Sequence, residues 1–184
     1  MKSVLISIRP QWVEKIANGE KTIEVRKSAP KEVPFKCYIY ETQGRTETPW
    51  IDEDGHFIYK GRGQVISEFI CDKVYSIKNR GSSFSVADEE QSVTNEIARQ
   101  SCLYYDDMVS YFGNKDGFGW HISDLKIYDK PRELSEFSRP CSYSGLCFSC
   151  KRTSFKKDGN LLCNTKITRP PQSWMHVEDL GEEE

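Results

Sequence analysis

The chain has 184 residues, a formal net charge of -2, and 37% hydrophobic, 29% charged and 12% aromatic residues. That length suits one domain with a sizeable core, or one domain plus a small appendage, and the balance is that of a soluble globular protein. The bulk charge excludes a strongly basic nucleic-acid binder, and no apolar run approaches the ~20 residues of a membrane span. The opening MKSVLISIRP lacks the apolar core and small-residue cleavage site of a signal peptide, so a cytoplasmic protein is expected. Acid gathers at 52–55, 87–90 and 181–184 while Lys and Arg are frequent in the first stretch, which leaves room for a local basic mouth.

In chain order, VLISIR (4–9) sets Val4, Ile6 and Ile8 against Ser7 and Arg9, as a half-buried strand does. Pro10 opens a helix at its favoured first position. Trp12, Val13, Ile16 and Ala17 form its apolar stripe, and Asn18-Gly19 closes it. GEKTIEVRK (19–27) follows as a strand with Ile23 and Val25 on one side and Thr22, Glu24 and Arg26 on the other. FKCYIYET (35–42) is a third strand. The turn-rich segment up to residue 63 is expected as an inserted loop or an exposed hairpin around HFIYK. GQVISEFICDKVYSI (63–77), apolar on both sides, predicts one long central strand.

Helices are expected over VTNEIARQSC and from Tyr105-Asp106-Asp107 to Gly113. GFGWHISDLKIYD (117–129) predicts a further strand, with Phe118, Trp120 and Ile122 facing one way and His121 and Ser123 the other. RPPQSWMHVEDL (169–180) leads into a last strand. Five or six strands with few helices between them argue for a small mixed α+β fold built on a β-barrel with flanking helices.

Of seven cysteines, Cys37, Cys71 and Cys102 lie in apolar or helical contexts and read as buried thiols. Cys141, Cys147, Cys150 and Cys163 cluster as C-x5-C-x2-C-x12-C, a set that can surround a structural Zn(II) in a reducing compartment. An iron-sulfur cluster and free thiols remain alternatives, and His176 could replace one ligand. The flanking KRTSFKK (151–157) would make such a knuckle basic.

Lys21, Glu24 and Arg26 are costly to bury unless each finds a partner. Arg26 offers a planar fork for phosphate or a base edge, Lys21 a point charge, and Glu24 an acceptor for an exocyclic amine or a general base. The bland alternative is a set of ion pairs that merely finishes a rim. Arg9 can add a phosphate contact. Tyr38, Tyr40 and Trp120 are candidate stacking surfaces, although the alternation around Trp120 favours core packing.

With strand, helix and then Gly19, Lys21, Glu24 and Arg26 in place, the chain resembles the ASCH domain family of the PUA-like superfamily, whose hallmark is G-x-K-x-x-E-x-R directly after the first helix. The resemblance covers roughly residues 2 to 130 and the strand at SWMHVEDL. It implies a small PUA-like β-barrel with helices at its side. The Cys-rich segment lies outside this common core, and the whole chain is expected as a single domain over 1–184, with 139–168 a Cys-rich subdomain, zinc-binding by its cysteine spacing, inserted before the closing strand.

It also implies a cleft for RNA or a modified nucleotide where the motif residues Lys21, Glu24 and Arg26 meet the solvent; with Arg9 and Tyr40 added from the reading of the residues, the expected ligand-binding set is Arg9, Lys21, Glu24, Arg26 and Tyr40. Some small members are amidohydrolases of N4-acetylcytidine, in which a Thr three residues after the Lys is the nucleophile, and one is described as a ribonuclease. Here Glu24 occupies the Thr position. The preferred expectation is therefore a binding protein. The alternative is an amidohydrolase or ribonuclease in which Lys21 and Glu24 are the catalytic pair, and a third reading is an interaction module with a vestigial cleft. No membrane partner is expected, and the oligomeric state stays open.

Overall fold

The computed structural model describes residues 1–43, 50–51, 57–58, 60–81, 83–141, 153–155, 161–163 and 165–181. Strand β1 (Lys2–Ile8) runs into helix α1 (Pro10–Ala17), which starts with proline and buries Val13 and Ile16. The N–H of Asn18 closes on Glu14 O at 3.0 Å. Gly19 then turns the chain at φ +80°, a conformation that costs a glycine little, and β2 (Ile23–Arg26) follows. The remaining strands and α-helices are β3 (Phe35–Glu41), β4 (Trp50–Ile51), β5 (Phe57–Ile58), β6 (Val65–Cys71), β7 (Val74–Asn79), β8 (Phe84–Val86), α2 (Gln91–Ser101), α3 (Tyr105–Phe112), β9 (Gly117–His121), β10 (Ser123–Arg132), β11 (Thr153–Phe155), β12 (Leu161–Cys163) and β13 (Trp174–Val177), with a 3-10 turn at Leu134–Glu136 after β10. No helix among the described residues is long and apolar enough to cross a membrane.

The expected closed barrel is not formed. The described strands make two open sheets, β10-β6-β3-β1-β13 and β2-β9-β7-β8, besides the hairpins β4-β5 and β11-β12. Within the large sheet β1 pairs in parallel with β3 and antiparallel with β13. Both stretches expected as single long strands are broken instead. β6 lies in the first sheet and β7 in the second, with the chain crossing at Asp72-Lys73; β9 and β10 cross back at Ile122. A strand apolar on both faces and a strand that leaves one buried sheet for another carry the same hydrophobic signal, so periodicity could not separate them. The two crossings lie side by side, since His121 N donates to Lys73 O at 2.9 Å and Ile122 N to Thr22 O at 2.9 Å.

The space between the sheets is filled by Val4, Ile6, Phe35, Cys37, Ile39, Phe69, Cys71, Trp120 and Ile122, with α1 at one side. Trp120 is fully buried and meets Phe35 edge-on at 5.1 Å. A second cluster joins Ile23, Val25 and Ile77 to Ile97, Met108 and Phe112 of α2 and α3. Gly117 lies so close to this cluster that a Cβ there would sit 1.9 Å from the Phe112 ring. A third covers the outer face of the large sheet and contains Leu5, Tyr38, Tyr40, Phe137 and Ile167.

Residues on either side of the Cys-rich segment meet, with Arg139 N donating to Thr165 O at 2.9 Å and Ile167 N to Phe137 O at 3.0 Å. The expected zinc-binding character of that segment is not part of the described fold. Cys141 is exposed, Cys147 and Cys150 lie outside the described residues, as does the Cys163 side chain, and among the described residues no group of three or more His, Cys, Asp or Glu could hold a metal ion.

Candidate functional site

The pleat of β2 decides where its charges go. In the antiparallel pairing with β9, Glu24 stands opposite Trp120 and Arg26 opposite Phe118, so these four side chains share one face, the face turned toward the large sheet. Ile23 and Val25 point the other way, into the cluster under α2 and α3. Because β2 is an edge strand, Glu24 and Arg26 project beyond the apolar filling into the gap beside β1.

Three charges meet there with little exposure, 2% for Lys21, 6% for Glu24 and 7% for Arg26. Lys21 Nζ donates to Ser101 O at 2.6 Å and stands 3.4 Å from Glu24 Oε2. Glu24 Oε1 lies 2.9 Å from Arg26 Nε, an ion contact whose N–H is not aligned for a hydrogen bond. Arg26 Nη2 donates to Ser7 O at 2.7 Å. The carboxylate is thus shared between two cations, and the cluster keeps a net positive charge. Burial pushes the Lys21 ammonium below its ordinary pKa, while Glu24 works in the opposite direction.

These groups form the floor of an open cavity of about 750 Å³. Its walls come from four separate stretches, Ser7 to Trp12, Lys21 to Lys27, Leu103 to Tyr111 and Pro170 to Gln172, together with Thr42. Ser7 Oγ donates to Pro171 O at 2.6 Å and fastens the last wall to β1. The charged lining is Arg9, Lys21, Arg26 and Lys27 against Glu24 and Asp107, four cations and two carboxylates. Asp107 is occupied in capping α3, accepting from Tyr104 N at 3.0 Å. Arg9 and Lys27 are exposed and make no ion pair among the described residues.

Of the residues expected in a binding cleft, Arg9, Lys21, Glu24 and Arg26 therefore share one cavity, and Tyr40 does not. Tyr40 is 7% exposed on the outer face of the large sheet, with Tyr38 beside it in the same cluster. His121 lies outside the cavity, with Nδ1 at 2.6 Å from Asp72 Oδ1. Lys27, Asp107, Trp12 and Tyr111 line the cavity without having been singled out for it. Trp12 carries an ambiguous signal, since one stripe of α1 serves both core and cleft, and Tyr111 is an isolated aromatic late in α3. A smaller cavity of about 190 Å³, with a mostly apolar lining and no charged residue, lies between β8, α2 and α3.

No family model and no curated protein matches the chain. Solved structures do. The ASCH protein of Zymomonas mobilis is similar with a TM-score of 0.49 and 18% identity, over 72% of this chain and 74% of that one. A tyrosine-to-phenylalanine variant of that protein gives 0.49 and 17%, over 73% and 77%. A serine-to-alanine variant gives 0.54 and 15%, over 96% of this chain and 89% of that one. Likeness at such low identity speaks for the fold alone.

Proposed function

We propose that this chain, whose fold is that of the ASCH domain proteins, binds RNA or a modified nucleotide in the cleft between β2, α1 and α3. One observation carries the reading: in a protein of net charge -2, a polar cavity of about 750 Å³ is lined by four cations and two carboxylates. Arg9 and Lys27, exposed at the rim, suit phosphates. On the floor, each Glu24 oxygen already faces one cation but retains a second lone pair, which can accept from an exocyclic amine of a base.

A second reading rests on Lys21, a buried lysine with a lowered pKa beside a carboxylate at 3.4 Å. That environment suits a general base or an amine nucleophile, as an amidohydrolase or ribonuclease would need. The two readings part on product formation. Fluorescence anisotropy with a labelled single-stranded RNA should show affinity that falls with salt. Arg9→Ala or Lys27→Ala should each flatten the log–log salt slope by roughly 0.7. Chromatography of the same mixtures should show intact RNA, and incubated N4-acetylcytidine should come back unchanged. Salt-independent binding, or slopes untouched by both variants, would remove the binding reading; turnover lost in Glu24→Gln would establish the enzyme.

A further inference from the structure

The aromatic side chains that the sequence offers for stacking, Tyr38, Tyr40 and Trp120, are buried in the core at 0%, 7% and 0% exposure. Two other rings stand on the cavity walls. Trp12 projects from α1, half-buried, with Lys21 Nζ 5.3 Å and Lys15 Nζ 5.8 Å from its ring centre. Tyr111 projects from α3, 37% exposed, with Lys27 Nζ 5.0 Å from its ring centre and Arg26 close by. A large ring left that open on the wall of a cleft keeps apolar surface in water that the fold did not cover. Each ring is also accompanied by a rim cation, Arg9 three residues before Trp12 and Lys27 over Tyr111.

We propose that Trp12 and Tyr111 are the base-stacking surfaces of the cleft, and that its ligand is therefore unpaired: a single-stranded stretch of RNA, not a duplex. The proposal rests on the nucleotide-binding reading and narrows it. In an A-form duplex the base faces are covered by their neighbours and the major groove is too narrow for side chains, so rings at this depth have nothing to stack on. An unpaired base can present its face to Tyr111 or Trp12 while its phosphate stays with Lys27 or Arg9 at the rim. This alternation of ring and cation is how single strands are held without sequence readout. The cavity volume of about 750 Å³ falls in the range of small-molecule sites.

The test uses the full chain, fluorescence anisotropy and three probes of equal length: fluorescein-labelled decauridylate, the same strand paired with its complement, and a fully abasic ribose-phosphate oligomer. Tyr111→Leu should weaken decauridylate binding about tenfold, Tyr111→Phe should restore it to within about twofold, and the abasic oligomer should not distinguish Tyr111→Leu from the parent. The duplex should bind the parent at least about tenfold more weakly than the single strand.

Trp12→Leu should act in the same direction. Trp12 also packs against the core, so its melting curve must be recorded and Tyr111 remains the deciding position. If Tyr111→Leu binds decauridylate as the parent does, or the duplex binds as well as the single strand, the stacking surfaces are refuted. The nucleotide reading survives that result if Arg9→Ala and Lys27→Ala still change the salt slope. If the parent binds none of the three probes, both fall together.

Discussion

Replacing Glu24 by Gln keeps the size and one amide oxygen for Arg26 but removes the anion between two buried cations. The distances are 3.4 Å to Lys21 and 2.9 Å to Arg26, and the side chains of the three groups are 2%, 8% and 9% exposed. At an effective dielectric near 20, each contact is worth roughly 5 kcal/mol before desolvation is counted. Breaking a buried pair by deleting one member costs about 3–5 kcal/mol, against about 0–1 for an exposed pair. Because the cluster borders an open cavity, the lower end applies, about 3 kcal/mol. For a chain of this length that corresponds to a fall of roughly 6–12 °C in Tm.

Lys21 supplies a second, pH-dependent signature. Its folded pKa is already below the unfolded value of about 10.4, and Glu24 is the partner that holds it up. Without Glu24 it drops further, so over that window the unfolded variant binds more protons than the folded one and the variant gains stability as pH rises. Urea denaturation followed by circular dichroism should therefore show a deficit of about 3 kcal/mol near pH 7 that narrows toward pH 10. A deficit below about 1 kcal/mol, or one constant over that range, would mean that the three charges are not a coupled buried cluster.

Other outcomes can be checked alongside. Tyr128 donates to Glu68 Oε2 at 2.5 Å, and burial followed by that hydrogen bond pushes its pKa above the ordinary value. Its stabilising effect is whole below about pH 10 and is lost as pH rises beyond that, so Tyr128→Phe should cost about 1–2 kcal/mol at neutral pH and show a shallower alkaline decline in urea titrations. Gly117→Ala would place a methyl group 1.9 Å from the Phe112 ring and should cost about 1–3 kcal/mol or more by thermal melting, with the packing of α3 loosened. Gly61→Ala meets the Thr42 carbonyl at 1.9 Å and Pro10 Cγ at 2.7 Å, beside the cleft wall, and should lower RNA affinity as well as Tm.

The charged cluster was legible because Gly19, Lys21, Glu24 and Arg26 stand at fixed offsets after a capped helix, and alternation in β2 dictates that Glu24 and Arg26 share a face. The core role of Trp120 was legible for the same reason. Sheet closure was not: Asp72-Lys73 and Ile122 are corners that carry no glycine or proline, so 63–77 and 117–129 read as continuous strands. Tyr40 was misplaced because alternation gives two faces without saying which of them meets the cleft. Its partners on the outer face, Phe137 and Ile167, lie about a hundred residues on and give no local signal. Tyr111 depends on where α3 docks, which only tertiary packing fixes.

The cleft is assembled from residues near positions 10, 25, 110 and 171, drawn from both sheets and from the return segment after the Cys-rich stretch. A guest touching all four would act as a non-covalent cross-link across most of the chain, resisting global unfolding rather than stiffening one loop. At a hundred times its dissociation constant it would add about 2.7 kcal/mol. Differential scanning fluorimetry against nucleotide collections thus becomes a direct way to fish for the natural occupant.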